Sequence, residues 1–456
     1  MDYSKIGEEI IERVCRSKGE EAEVYIKTFR AIDIDVSEQK LENFNTPYSS
    51  GIGLRIFSQN RMGFAYTTGF DRESIERLIQ QAKNNALNAT PDECNCLPQV
   101  SRQKKSNRFL YEDLYDQELT KIPVEIKIDK IREMEKKALA YDERVKRVLR
   151  TSYSDSQQEI FIFNSKGLKA GYRGTHCSCG LIAVAEAKMF LRERSKEIQL
   201  GSDFAEKRKF GELHFKELAE NAARRAVSLL GAKRLKTQRA SIVLEPLVVS
   251  SFLRFIARGL GADSVQKKKS PFAKKRGKRI ANKIVNIIDD GTLRGGVATF
   301  PFDDEGIPKR RTVLVKDGIL STFLYDSYTA RKDRVASTGN AFRSSFKALP
   351  SVGFTNFFLE KGRTKREELI AIDKGLYVME TMGMHTADPV SGDFSVGVSG
   401  LWIDRGEFSF PVHGVTIAGN VLDLLNSIDA VGDDLEFYGS LGSPTIRISN
   451  FLISGE

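Results

Sequence analysis

Apolar residues at helical spacing, Ile6, Ile10, Ile11 and Val14, predict a first helix over residues 4 to 17, with Gly19 as its stop. The period then changes to two. AEVYIKTF and AIDIDVSE alternate apolar and polar positions, the second with Ile32, Ile34 and Val36 on one face, and GIGLRIFSQNRMGFAYT reads as a hairpin turning at Ser58 to Arg61. Asp71 serves as the cap of a helix whose stripe is Ile75, Leu78, Ile79, Ala82 and Ala86. Thr90 to Asn107 has two prolines and no period, which predicts a linker. After it Val124, Ile128, Ile131, Met134 and Ala138 mark a long amphipathic helix. Strands follow at VKRVLRTSYS, QEIFIFNSKG and LKAGYRG with a turn at Asn164 to Gly167, and a closing helix spans 212 to 229 with His214 inside it.

Helix, antiparallel strands and helix thus occur twice, so residues 1–230 read as one α+β portion made of two related segments, about 1–90 and 108–230, joined by 90–107. Beyond residue 230 the texture changes. A strand at Ala240 to Leu244 and a helix at 246 to 258 are followed by short strands between Asp-Gly, Lys-Gly and Arg-Gly turns. Residues 231–456 are expected to form a mainly antiparallel, partly closed β domain, which makes the fold class α+β.

The balance of 41% apolar and 29% charged residues is that of a globular chain, and 456 residues exceed what a single core usually serves. The N-terminal stretch has acidic residues among its apolar ones and reads as a helix rather than a signal peptide. No run approaches the roughly 18 apolar residues of a membrane span. The expected compartment is the cytoplasm. The formal net charge of +10 is local: Lys267 to Arg279 (KKKSPFAKKRGKR) holds 8 basic residues and no acid, leaving 63 basic against 61 acidic residues elsewhere. With only Phe272 as an aromatic, the run is read first as a solvated mobile loop, and an acidic partner or nucleic acid is the second reading.

Five cysteines, an odd number, point to free thiols, and Cys94/Cys96 and Cys177/Cys179 form two C-x-C pairs. Residues i and i+2 of a strand share a face, which keeps a zinc reading open. Yet zinc prefers wider spacing, and His176 would face away from Cys177. Motifs for zinc hydrolysis, an acyl-enzyme serine or nucleotide binding are missing. One polar cluster remains, His385, Asp388, Asp393 and Ser395 in GMHTADPVSGDFSVG. It reads as a turn, demanded by Pro389 and Gly392, ahead of an acid–base or substrate site.

GIGLRIFSQNRMGFAYTTGFD, DDEGIPKRRTVLVKDGILSTFLYDSYTARK, STGNAFR, VSGDFSVGVSG and VHGVTIAGNVLDLL together resemble the TldD/PmbA family, once labelled modulators of DNA gyrase, over essentially the whole chain. The resemblance implies two paralogous subunits of a cytoplasmic peptidase. One carries a zinc motif His-Glu-x-x-x-His-Gly-Leu-Glu-x-Asp and a late cysteine ligand; the other, the PmbA or TldE type, lacks the motif. Gly259, Leu260 and Asp263 match the motif's frame, so its histidines fall at Leu253 and Arg258 and its glutamate at Arg254. Leucine has no lone pair for zinc and guanidinium groups repel a cation. No cysteine follows Cys179. The resemblance therefore implies a non-catalytic subunit without zinc of its own, a zinc-bearing TldD-type partner, and an unfolded peptide as substrate. A homodimer stays open, as does the alternative of a gyrase or nucleic-acid modulator acting through residues 267–279.

Overall fold

The computed structural model describes residues 2–15, 19–98, 113–188 and 196–455. Its first part is one seven-stranded antiparallel sheet. Strands β1 (Glu21–Ser37), β2 (Lys40–Asn45), β3 (Tyr48–Ser58), β4 (Arg61–Thr67), β5 (Val145–Asn164), β6 (Lys169–Lys188) and β7 (Lys196–Lys207) run in the order β4-β3-β1-β5-β6-β7, with β2 on β1. Helices α1 (Tyr3–Val14) and α2 (Arg72–Asn88) cover one half of a single face, and α3 (Val124–Tyr141) and α4 (Phe215–Ser228) cover the other.

The two halves meet at the β1–β5 pair. Each half is closed by the same device, a glycine that lets a helix backbone lie on the sheet. A Cβ at Gly63 of β4 would stand 2.0 Å from the Ala82 oxygen and 2.4 Å from the Ala86 nitrogen of α2. One at Gly201 of β7 would stand 2.3 Å from the Ala222 oxygen and 2.2 Å from the Ala226 nitrogen of α4. Backbone atoms cannot swing aside, so Gly201→Ala is expected to cost about 1–3 kcal/mol. Urea unfolding checks this against Gly211→Ala, where nothing lies within 4 Å of the added methyl.

Asp71 caps α2 by accepting the Ser74 N–H at 2.9 Å, and the five stripe residues of α2 are all buried. The β3–β4 hairpin turns at Gln59 and Asn60, both at positive φ, the tight reversal that a two-residue hairpin uses. Five readings change. The two strands expected in 22–38 are the single strand β1, and VKRVLRTSYS and QEIFIFNSKG are the single strand β5. His214 sits exposed at the N-cap of α4, not inside the helix. In the linker, residues 90–98 fold back on the body: Asp92 N–H donates to the Asn60 oxygen and Leu97 is fully buried, while 99–107 lie outside the described residues. Lys374–Gly375 opens a strand, whereas Asp317–Gly318 and Arg405–Gly406 do make hairpin turns.

The second part is mainly antiparallel and partly closed. Its larger sheet runs Glu407–Asn420, Asp393–Asp404, Lys374–Met382, β8 (Gln238–Leu244), Ile446–Ser454, Ile428–Val431, and pairing of Glu407–Asn420 with Ile446–Ser454 closes it into a barrel. A smaller sheet runs Ile319–Leu320, Arg311–Lys316, Ile287–Asp290, Asn356–Leu359, Leu441–Ser443, Glu436–Tyr438. Helix α5 (Pro246–Gly259) lies between the two sheets, with Pro246 in its first turn, where a missing N–H costs nothing. Helix α6 (Ala262–Gln266) follows.

The basic run departs most from its sequence reading. Phe272 is fully buried, Ser270 Oγ donates to the Gly259 oxygen at 2.6 Å and accepts the Phe272 N–H, and Gly277 N–H donates to the Leu320 oxygen. One aromatic anchor and this backbone bonding pin Lys267–Arg279 to the end of α5, so the expected mobile loop is an ordered one whose charges point outward.

Candidate functional site

Helix α5 carries the degenerate positions, and its regular geometry separates them. At 3.6 residues per turn, positions 253 and 258 lie about 140° apart around the axis. Leu253 is 1% exposed, in the core with Phe252, Ile256 and Ala257, whereas Arg254 and Arg258 share the exposed face and make no hydrogen bond or ion pair among the described residues. Gly259 passes so close to the basic loop that a Cβ there would stand 3.0 Å from the Phe272 ring. The strand-like exchange between Leu260 and Leu324, with Ala262 donating to the Leu324 oxygen, fixes the turn into α6.

Helix α5 packs against Glu436–Tyr438, and the charge of its Arg254 acts on Glu206 of β7; each of these two strands is the last of its sheet. Phe204 and Tyr438 bring them together with ring centroids 5.6 Å apart. Beneath lies Glu206, bonded to His176 Nδ1 at 3.2 Å. The His176 hydrogen bond is the main cause holding the Glu206 carboxyl below its usual range; burial opposes it, and the charges of Arg208 and Arg254 add to it. Burial pushes the His176 imidazole down, against the Glu206 bond. Arg208 is locked under Phe300 by carbonyls of Thr175, Val297 and Thr299. Two edge strands, beside a helix face that exposes Arg254 and Arg258, offer backbone groups that can pair with an extended chain.

Three family models match this chain: PmbA/TldA metallopeptidase domain 1 over residues 22–86, the central domain over 117–230, and the C-terminal domain over 237–455. The chain belongs to the PmbA/TldD family. It is similar to the metalloprotease PmbA of Escherichia coli O157:H7, 28% identical over 449 residues covering 97% of this chain and 94% of that one. It is also similar to a metalloprotease TldD homologue of Haemophilus influenzae, 28% identical over 403 residues, covering 86% and 81%. Among solved structures, TldE from Thermococcus kodakarensis matches with a TM-score of 0.85 at 24% identity, covering 99% of this chain and 98% of that one. A Thermotoga maritima protein named as a candidate modulator of a DNA gyrase matches with a TM-score of 0.88 at 25% identity, covering 98% and 100%.

In this PmbA/TldD chain the donor set on α5 does not fit zinc: a leucine in the core and two guanidinium groups offer no lone pair, and α5 has no bulge to bring 253 and 258 to one face. Among the described residues no group of three or more His, Cys, Asp or Glu side chains is arranged to hold a metal. Cys177 and Cys179 share the helix-covered face of β6; burial pushes both thiols up, Cys179 to about 12, while His176 lies on the opposite face. Cys94 and Cys96 line a 430 Å³ cleft with Arg55, Glu305 and Tyr328.

The residues His385, Asp388 and Asp393 stand exposed at the mouth of a turn. Asp388 accepts the Val390 and Ser391 N–H groups, Asp393 accepts from Asn420, and Gly392 takes φ +86°, so the two carboxylates are committed to shaping the chain. His385 makes no side-chain bond with them.

Reading motifs missed the strongest polar cluster, which joins the two parts. On the face of β1 away from the helices, Glu23 is gripped by Arg55 at 3.0 and 2.8 Å and by Arg343, while Arg55 also reaches Glu305. Tyr25 donates to Asp304 at 3.0 Å. The signal was present: Glu23, Tyr25 and Lys27 fall at i, i+2 and i+4 of one strand face, and DDEG supplies Asp303, Asp304 and Glu305.

Proposed function

We propose that this chain is a non-catalytic, PmbA/TldE-type subunit of a cytoplasmic metallopeptidase, pairing with a zinc-bearing TldD-type homologue to cleave unfolded peptides. The observation that carries this reading is α5. It keeps the Gly259, Leu260 and Asp263 frame of the motif helix while seating Leu253 in the core and presenting Arg254 and Arg258. The partner would supply the metal, its bound water and the base. This chain would supply a wall and strand edges that hold the substrate extended, and such positioning can rival chemistry in size. The alternative through Lys267–Arg279 is weakened by the burial of Phe272, the one aromatic that could have stacked on a base.

Mixed with a TldD-type homologue from the same organism, the purified chain is expected to form a stable complex that cleaves an unstructured fluorogenic peptide in a chelator-sensitive way, with neither chain active alone. Size-exclusion chromatography and the peptidase assay check both parts. Cleavage by this chain alone, with a contaminating homologue excluded by mass spectrometry, would overturn the reading. So would the absence of any complex.

A further inference from the structure

A second site lies at the joint of the two parts, where β1, β5 and β6 face the loop 298–309 and residues 340–343 and 353–355. It is a cavity of about 120 Å³, well above the roughly 10–15 Å³ that one water needs. Its wall is polar in an unbalanced way.

The carboxylates are committed to protein donors. Asp304 accepts Tyr25 O–H at 3.0 Å on one oxygen and Arg343 N–H at 2.7 Å on the other. Asp303 accepts the Glu305, Ile307 and Ala341 N–H groups at 3.0, 2.9 and 3.0 Å. The donors are not committed. Among the described residues, the Lys27 and Lys309 ammonium groups and the Tyr172 hydroxyl donate to no protein acceptor, although all three line the cavity. Arg343, fully buried beside them, spends one nitrogen on Glu23 and has its Nε and Nη1 without an acceptor. Burial depresses the Lys27 ammonium and the Asp304 charge counters it in part.

Cationic donors without a hydrogen-bonded acceptor around a small, partly open cavity, with the Asp303 and Asp304 oxygens engaged, match one ligand chemistry. We propose that this cavity binds an oxyanion group, a carboxylate or a phosphate, with Lys27, Lys309 and Tyr172 as its donors. The site is separate from the exposed face of α5. Phe300 stands between them, 5.0 Å from the Tyr172 ring and 6.3 Å from the His176 ring. The proposal does not depend on the partner subunit, because every group named belongs to this chain.

Thermal unfolding and titration calorimetry of the full chain test it, at constant ionic strength with chloride as the reference. The probes are inorganic phosphate, acetate, a short peptide with a free C-terminus and the same peptide amidated. At least one oxyanion probe is expected to bind saturably and raise the melting temperature above the chloride reference. Losing one charged donor should weaken that binding about tenfold or more in Lys27→Met, with a smaller loss in Tyr172→Phe, and exposed Lys316→Met should leave it unchanged. Response to the free-acid peptide and acetate but not the amide identifies a carboxylate source; response to phosphate alone identifies a free oxyanion. Either supports the site. No response to any probe, or a response equal in wild type and Lys27→Met, overturns it.

Discussion

Glu23→Ala is expected to destabilise the chain by about 3–5 kcal/mol, because it strands buried guanidinium charge rather than merely deleting a contact. Glu23 and the Arg343 side chain are both 0% exposed, and Glu23 is the only carboxylate paired with Arg343 among the described residues. Arg55 would keep Glu305, so the cost falls chiefly on Arg343. Removing both charges, as in Glu23→Leu with Arg343→Met, should therefore be less harmful than Glu23→Ala alone. Urea midpoints for the two variants check that reversal of ordinary additivity.

The same carboxylate sets an acid limb. Burial raises the Glu23 pKa, but the Arg55 and Arg343 charges and their hydrogen bonds outweigh it, leaving the group below its ordinary value of 4.5. Its contribution is therefore complete above that value and is lost as pH falls through the depressed one. Asp303 runs the other way. Burial holds it up at about 7, against the pull of Lys309, so its contribution is present in acid and is lost as pH rises through about 7. Glu23→Ala should flatten the acid limb and leave the limb near neutrality. A stability within about 1 kcal/mol of wild type, or an unchanged acid limb, would refute the account.

Why this cluster escaped a reading of the sequence is physical. Residues Ala22, Glu23, Val24, Tyr25 and Ile26 of β1 are all buried, since helices cover one face and the second part covers the other. The alternation in AEVYIKTF finds the strand but makes its polar face read as solvent-exposed, so the buried Glu23 looks like a surface residue until its arginines arrive from positions 55 and 343. The helices were legible because their stripes face a single layer. α2 has all five stripe residues in place. The basic run erred in the opposite direction: eight charges masked one phenylalanine, and it is Phe272 that decides whether the segment folds. The motif helix was legible in register but not in orientation. Only the structure separates Leu253 from Arg254 and Arg258, a division that bears directly on whether zinc chemistry could be restored there.

Writing the motif back, as Leu253→His with Arg254→Glu and Arg258→His, is expected to give neither bound zinc nor peptidase activity. It should also cost stability on the order of 3–5 kcal/mol, the sum of lost apolar burial and a polar ring desolvated among Phe252, Ile256 and their neighbours. In a regular α-helix the first histidine would point into the core and the second out from the exposed face, so the pair cannot share a tetrahedral ion unless α5 bulges. No cysteine follows Cys179 to complete the set, and no groups stand ready to orient the rings. Arg254→His with Arg258→His makes the sharper comparison. Those positions lie one turn apart on the exposed face, where two imidazoles can grip one ion. This double variant should bind zinc measurably in calorimetry, though weakly, while the triple variant should not. Near-stoichiometric zinc in the triple variant by elemental analysis would mean that α5 rearranges readily. Loss of the motif would then rest on side-chain chemistry alone and not on the seating of Leu253 in the core.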